Sequence, residues 1–348
     1  MKQRGKAVVV ILICLTLLAG VGFTRVGSKY RTQEEVNLIF ANVTSNSAKQ
    51  AGEKFKELVE EYSGGKMTVD LFQDNQLGDD KTLAEGVQNG DIDIAASSTS
   101  SLSTLYKDYY LYDTPYLFLN SQEVYDVGFK GETAVKMLEG VEKVGLKHMA
   151  MWENGFRNYT NNEHPIESPA DCKGQKIRTM ENPIHMKAWK EIGANPTPMA
   201  FSELFTAMQQ GTVDGEENPI GIISSNRFYE VQKYISLTQH VYTPYVVVMN
   251  PDKYNALTDE QKDIVDRAME EATKFQLEQS AKDEEEGIKV MEDYGCKVNT
   301  LTDEQKMEFQ KIMENADVFG VAKDSMENPK FFDGMLKDLE EYRKKKKK

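Results

Sequence analysis

The hydrophobic pattern near the start of the chain alternates between strand and helix spacing. Residues 36–40, 67–72 and 92–96 are short apolar runs of the kind that form buried strands. Between them, apolar residues recur at helical spacing over 48–62 and 81–88. Strands alternating with helices in this way predict a parallel sheet with helices on its faces. Ligands of such sheets bind beyond the carboxyl ends of the strands.

A second unit of the same kind starts near Leu146. The segment 151–158 is expected to form a loop after its first strand, and 213–219 is expected to form a turn. The remaining predicted elements are a strand at 176–179, a helix at 185–192, a break at 195–198, a helix at 202–210 capped by Ser202, and a strand at 245–249.

One long helix is predicted after the second unit. Thr258 and Gln261 form a capping box, and the run to Tyr294 contains no proline and one glycine, Gly287. At 1.5 Å per residue such a helix approaches about 50 Å, which is longer than one small domain. A second capping box at Thr302 begins a terminal helix. The expected fold is therefore α/β and two-lobed, like periplasmic binding proteins, with a long helix spanning both lobes. The predicted boundaries are 33–155 plus 244–283 for lobe I, and 156–243 plus 284–340 for lobe II.

The two ends of the chain carry basic residues. Residues 1–25 combine a basic start with the apolar run 7–18, which is typical of a secretory signal peptide and short for a membrane span. An uncleaved N-terminal anchor is the alternative. Either reading places the body of the protein outside the cytoplasmic membrane, in the periplasm or at the outer face. The basic tail at 341–348 is expected to be solvated, with attraction to anionic lipid as a weaker alternative.

Composition narrows the function classes. The 348 residues include 42 Lys+Arg and 56 Asp+Glu, which gives a formal net charge of −14. A chain this acidic does not favour nonspecific nucleic-acid binding. Three cysteines and four histidines argue against a disulfide scaffold or a multi-site zinc protein. Outside the leader only Cys172 and Cys296 remain, and two unrelated thiols are the default expectation.

No catalytic, metal-binding or cofactor signature is present among the motifs we searched. The chain has no HExxH, GxSxG, phosphate-binding glycine loop or CxxC sequence. The interval 151–218 is more informative, because Arg157 follows aromatic and glycine residues and Arg178 lies on a short predicted strand. Guanidinium groups pair with both oxygens of a carboxylate, and aromatic faces pack on carbon skeletons. From spacing alone, two surface arginines in salt bridges are an equally good interpretation.

Five motifs resemble the solute-binding subunit of tripartite ATP-independent periplasmic (TRAP) transporters, the DctP-like family. They follow the order of that family over almost the whole chain after the leader. These motifs are QLGDD at 76–80, GQKIR at 174–178, PTPMAFSE at 196–203, VDGEENP at 213–219 and FYEVQKY at 228–234.

The resemblance implies a set of ligand-contacting residues. Arg178 would bind the ligand carboxylate through a two-pronged salt bridge, Arg157 would be a second contact, and Asn218 would hold the carboxylate region. Glu217 and Glu181 are candidates for orienting the arginines. The remaining candidates are Phe201 against the ligand, Asp80 and Ser98 from the other lobe, Asn42 in a lobe I loop, and Trp152 and Asn154 toward ligand hydroxyls.

The implied function is capture of an organic acid anion by hinge closure and delivery to TRAP membrane subunits, with no chemical transformation. A monomer without cofactor or metal is expected. Nearby carboxamides favour a sugar acid such as an aldonate or uronate, with C4-dicarboxylates or keto acids next. The alternatives are a sensor that presents its ligand to a membrane receptor and a secreted sugar-acid lyase or isomerase.

Overall fold

The computed structural model describes residues 35–346. The predicted leader at 1–25 and the last two lysines of the basic tail lie outside this part of the chain. The strands are β1 (Val36–Ala41), β2 (Met67–Phe72), β3 (Ile94–Ser98), β4 (Lys147–Asn161), β5 (Lys176–Thr179), β6 (Asn195–Pro198), β7 (Gly215–Pro219), β8 (Tyr234–Leu237), β9 (Tyr242–Met249) and β10 (Lys297–Thr300). The helices are α1 (Asn46–Tyr62), α2 (Asp80–Asn89), α3 (Thr99–Leu102), α4 (Ser121–Glu123), α5 (Glu132–Glu139), α6 (Pro183–Ile192), α7 (Phe201–Gln209), α8 (Ile220–Ser225), α9 (Pro251–Ala256), α10 (Asp259–Tyr294), α11 (Asp303–Asn315), α12 (Val318–Ser325) and α13 (Lys330–Lys346).

The first half of the fold is built on a parallel sheet, as the pattern predicts. Strand β1 pairs in parallel with β2 and with β3, and β3 then pairs antiparallel with β9. Every residue of β3 and β9 is buried, because structure covers both faces of the sheet. Helix α1 packs its apolar stripe, including the fully buried Phe55, on this sheet. We call this half lobe I.

Strand β4 is shared between two halves of one continuous sheet. Its residues 147–156 pair antiparallel with β9, and its residues 157–161 pair antiparallel with β7. The sheet order is β2-β1-β3-β9-β4-β7-β5-β6, with β8 pairing to β4 and β10 to β8. A register shift separates Glu153 from Gly155, and Gly155 adopts a φ of 119° that favours glycine. The half beyond this shift, built on β5 to β8 and β10, we call lobe II.

Helix α10 connects the two lobes. Its 36 residues begin with the predicted capping box, in which Thr258 Oγ1 accepts from Gln261 N at 3.2 Å and Gln261 Oε1 accepts from Thr258 N at 2.9 Å. The helix packs on α1 in lobe I and on α8 in lobe II. Gly287 makes the second contact possible, since a Cβ there would lie 2.9 Å from Ile220 Cγ2. The predicted bridging helix is confirmed.

Three segments predicted as irregular are strands. Residues 151–158 belong to β4, 215–219 form β7, and 195–198 form β6, which pairs in parallel with β5. Two prolines are tolerated in β6 because it is the edge strand. Helix α7 begins at Phe201 and is preceded by Ala200, so the expected Ser202 cap is also wrong. Local turn chemistry was overridden here by pairing with neighbouring strands.

The C-terminal helix packs on lobe I, although 284–340 was assigned to lobe II. Asp338 accepts a hydrogen bond from Thr133 N at 3.3 Å, and Tyr342 donates to Asp126 at 2.9 Å. Arg343, expected in a solvated tail, donates to Glu123 Oε2 at 2.7 Å and continues α13. The other predicted lobe boundaries stay predictions.

Two further features of the described chain bear on the sequence predictions: its cysteines and its helices. Cys172 and Cys296 are free thiols, which agrees with the default expectation. Within residues 35–346 no helix is both long and apolar enough to cross a membrane.

Candidate functional site

A cleft lies where the carboxyl ends of β3 and β5 meet the crossing strand β4. It encloses a cavity of about 100 Å³, several times the space that one buried water needs. Seven of the ten predicted site residues line it, although they come from six separate parts of the chain. These seven are Asp80, Ser98, Asn154, Arg157, Arg178, Phe201 and Asn218.

Arg178 has a guanidinium group whose bonds are only partly satisfied. The residue is 2% exposed, and its Nε and Nη2 donate to Met199 O at 3.2 and 2.9 Å. Its Nη1 is buried and has no hydrogen-bond partner among residues 35–346. Burial, together with the nearby Arg157 charge, lowers the pKa of Arg178 to about 10. The centre of the Phe201 ring lies 5.9 Å from the guanidinium carbon, which helps to orient the cation. Within residues 35–346, Arg178 forms no ion pair with a carboxylate.

Arg157 is held differently, because it is paired with a carboxylate of its own lobe. It lies on β4 opposite β7, and its Nη2 donates to Glu217 Oε1 at 2.8 Å while Nε contacts the second oxygen. His240 Nε2 lies 3.0 Å from Glu217 Oε2. Burial opposes ionisation of Glu217, but Arg157 and His240 together hold its pKa below the ordinary value. The predicted orienting role of Glu217 therefore has a geometric basis, whereas Glu181 is exposed in the cleft wall.

Glu216 and Asn218 lie on the other face of β7. Asn218 Nδ2 donates to Glu216 Oε2 at 2.5 Å, and Thr160 Oγ1 donates to Glu216 Oε1 at 3.0 Å. Burial, with the neighbouring charge of Glu217, raises the pKa of Glu216 to about 7, against the opposing effects of these hydrogen bonds and of Arg157. Asn218, which lines the cleft, is thereby locked in one orientation.

The lobe I wall of the cleft carries a carboxyl group and hydroxyls. Asp80 Oδ1 accepts from Ser98 N at 2.6 Å. Burial raises the pKa of Asp80 to about 6, against the opposing effects of this hydrogen bond and of Arg178. Ser98 begins the short helix α3, whose next turn adds Ser101 to the cleft. This wall offers hydrogen-bond acceptors and small hydroxyls.

Three predicted site residues lie outside the cleft lining. Trp152 is fully buried in the core, where its Nε1 donates to Thr273 Oγ1 at 2.9 Å. Asn42 Nδ2 donates to Ala48 O at 2.5 Å, which holds the loop before α1 against the first turn of that helix. Glu217 pairs with Arg157 behind the wall. Trp152 and Asn42 do not line the cleft, because strand alternation directs the first into the core and a loop-closing hydrogen bond holds the second inward.

Several lining residues were missed by the sequence analysis. One of them is Asn75, whose buried side-chain oxygen has no partner within the described chain, as is also true of the predicted Asn154. Tyr245 of β9 pairs with Ser98, the last residue of β3, and its side chain lines the cleft. Strand-end position was the available signal for Tyr245. The other missed residues are Val43, Thr44, Asp79, Lys81, Ser101, Thr104, Met180, Met199, Ala200 and Ile222.

Comparison with known proteins relates this geometry to one family. Residues 40–317 match the family model DctP, described as bacterial extracellular solute-binding protein, family 7. The chain is 36% identical over 264 residues to the 2,3-diketo-L-gulonate-binding periplasmic protein YiaO of Escherichia coli K12, covering 75% of this chain and 80% of that one.

Two solved structures extend the likeness to the fold. The sugar acid binding protein DctPAm of Advenella mimigardefordensis, in complex with galactonate, superposes with a TM-score of 0.84 at 31% identity, over 88% of this chain and 99% of that one. A TRAP periplasmic solute binding protein of Sulfurospirillum deleyianum, with bound succinate, gives 0.81 at 30% identity, over 88% and 98%. The two-lobed α/β architecture expected from the sequence is thus confirmed.

Proposed function

The chain belongs to the bacterial extracellular solute-binding proteins of family 7, and we propose that it captures a polyhydroxylated monocarboxylate, a sugar acid, for TRAP transport. The observation that carries the proposal is the buried Nη1 of the cleft-lining residue Arg178, which has no hydrogen-bond partner in residues 35–346. A buried cation of this kind gains most from a charged acceptor, since charge-assisted bonds are the strongest. The ligand carboxylate would lie between Arg178 and Asn218.

The opposite wall favours hydroxyl groups over a second carboxylate. Asp80 places a carboxyl across the cleft from Arg178, and the pKa of about 6 keeps it mostly ionised at neutral pH. A second ligand carboxylate would be repelled there, whereas a hydroxyl donates to it. The partnerless oxygens of Asn75 and Asn154 add acceptors for further hydroxyls. This pattern supports galactonate-like ligands over succinate-like ones.

The mechanism needs binding and closure only. A ligand held on lobe II would draw lobe I over it by bending at β4 and α10. Closure excludes water and so strengthens the Arg178–carboxylate pair. Membrane subunits of a TRAP transporter would then receive the solute at the outer face of the cytoplasmic membrane. No bond in the ligand changes, so we assign no enzymatic activity.

The test is a binding screen with a matched pair of arginine variants. Galactonate should raise the unfolding temperature of the native protein more than succinate at equal concentration, because a ligand that binds only the folded state stabilises it. Arg178→Lys should weaken galactonate binding at least about tenfold in calorimetry, since an ammonium cannot supply the planar fork. Arg227→Lys, at a side chain 70% exposed in the same lobe, is the control. Equal affinity of Arg178→Lys and wild type would refute the proposed site.

A further inference from the structure

A buried polar cluster ties lobe I to lobe II beside the cleft. We call it the Asp113 cluster; it comprises Ser100 and Asp113 from lobe I and Asn182 and His185 from lobe II. None of the four is more than 2% exposed. The cluster belongs to neither the Arg157–Glu217 pair nor the cleft lining.

Both polar atoms of the Asn182 carboxamide form hydrogen bonds. Its Oδ1 caps helix α6 by accepting from Ile184 N at 2.9 Å and His185 N at 3.3 Å. Its Nδ2 donates to Asp113 Oδ2 at 2.6 Å. One carboxamide therefore joins the start of a lobe II helix to a lobe I carboxylate.

Asp113 is a fully buried carboxylate that accepts hydrogen bonds from Asn182 Nδ2 and from Ser100 Oγ. His185 Nε2 lies 3.2 Å from Asp113 Oδ1 without forming a hydrogen bond within residues 35–346. No lysine or arginine forms an ion pair with it within residues 35–346. A buried carboxylate depends on such hydrogen bonds, so losing one donor is costly.

The cluster shares its backbone with both walls of the cleft. In the segment around α3, Ser98 and Ser101 face the cleft while Ser100 faces Asp113. In lobe II, Met180 lines the cleft between Arg178 and Asn182 in sequence. Ser98 Oγ and Ser101 Oγ lie 3.9 and 4.0 Å from Met180 Sδ. Asn182 thus directly follows the lining residues Met180 and Glu181, and Asp113 is hydrogen-bonded to Ser100, the neighbour of the lining residue Ser101.

We propose that the Asp113–Asn182 hydrogen bond is a tether that fixes the separation of the two walls, so that Asp113 and Asn182 are positioning residues for ligand binding. The tether limits opening of the cleft between Arg178 and Ser98. It raises affinity because the binding-competent spacing is populated before the ligand arrives. The affinity part of this proposal rests on the proposed function, whereas the spacing part does not.

The first test removes the tether and keeps the helix cap. Asn182→Ser retains a favoured N-cap residue but lacks the amide that reaches Asp113. Asn250→Ser is the matched control, since buried Asn250 caps α9 and its Nδ2 donates to Val87 O at 2.8 Å within lobe I. Without ligand, small-angle scattering should show a larger radius of gyration for Asn182→Ser than for wild type and control. Galactonate affinity should fall about 10- to 100-fold, the range of a hydrogen bond to a charged group.

The second test exchanges the two side chains. Asn182→Asp alone puts two carboxylates together and should open the cleft further, whereas the double variant Asp113→Asn/Asn182→Asp restores one amide and one carboxylate. The double variant should return the radius of gyration and the affinity toward wild type, which a loss of general stability would not do. Ser100→Ala, a milder change, should have a smaller effect of the same sign.

The outcomes separate the two proposals. An unchanged radius in Asn182→Ser and Asn182→Asp, or no recovery in the double variant, overturns the tether. If galactonate does not bind the wild-type protein, the proposed ligand is wrong. The scattering comparison of the ligand-free variants then still tests the tether.

Discussion

The lobe II wall of the cleft presents charge from paired strands, whereas the lobe I wall presents acceptors from helix starts. Arg157 and Arg178 lie on β4 and β5, which flank β7, and both are buried. Asp80 and Ser98 lie where α2 and α3 begin. Backbone pairing fixes the first set closely, while loops adjust the second. The difference suggests that lobe II supplies the shared recognition of a carboxylate and lobe I supplies ligand choice.

The same contrast separates the two arginines. Arg157 has its countercharge in Glu217, whereas within residues 35–346 Arg178 donates only to a carbonyl oxygen and its Nη1 has no partner. Both guanidinium groups are buried to a similar degree, but the cost of burying the charge is offset by a carboxylate only at Arg157. The first is a completed structural pair, and the second is an incomplete one that a ligand would complete.

Replacing each arginine by methionine should separate these roles most strongly. Arg157→Met leaves Glu217 buried without its guanidinium partner, and the free energy of unfolding should fall by about 3–5 kcal/mol. Arg178→Met removes a buried cation that has no carboxylate partner, so the ligand-free protein should be unchanged or more stable. Urea unfolding measures both. A comparable loss in the two variants would contradict the contrast.

Neutralising the lobe I acid should alter ligand choice. Asp80→Asn removes the negative charge that opposes a second carboxylate, so the ratio of succinate to galactonate affinity should rise tenfold or more. Calorimetric titration with both ligands gives the ratio. Asp91→Asn, at an exposed position of the same lobe, controls for net charge. An unchanged ratio would show that Asp80 does not determine the choice between the two ligands.

The smallest expected effect is a pH dependence from the buried acids. The pKa of Glu216 is about 7 in the folded protein and near 4.5 when unfolded, so the folded state binds the proton more tightly. Stability from this group is complete below the unfolded pKa and is lost as pH rises through the folded one. From pH 7 to pH 6, Glu216 alone should add about 1 kcal/mol to the free energy of unfolding.

Glu216→Gln should flatten that slope in thermal unfolding at several pH values. Exposed Glu142→Gln is the matched control. Asp80 contributes in the same direction, because its pKa is raised to about 6. An equal change in stability between pH 7 and pH 6 for Glu216→Gln and for wild type would contradict the prediction.

The sequence predicted helices and strands correctly where the capping motifs or the hydrophobic pattern were strong. The capping boxes at Thr258 and Thr302 begin α10 and α11 as expected, and β2 has the predicted bounds. It failed where strand pairing overrides turn residues, as at Gly155 and Pro196. It also misplaced Trp152, because a single sequence does not tell which side of a long strand faces the cleft.

Residue spacing and side-chain chemistry within short segments were enough to predict the α/β alternation, the bridging helix and the family motif that carries Arg178. The three-dimensional packing was needed to show that Arg157 pairs with Glu217 and that Asn182 reaches Asp113. It was also needed to show that Arg178 has no carboxylate partner within residues 35–346. Partners of buried charges come from residues far apart in the chain, so their pairing is set by how strands and helices pack in three dimensions.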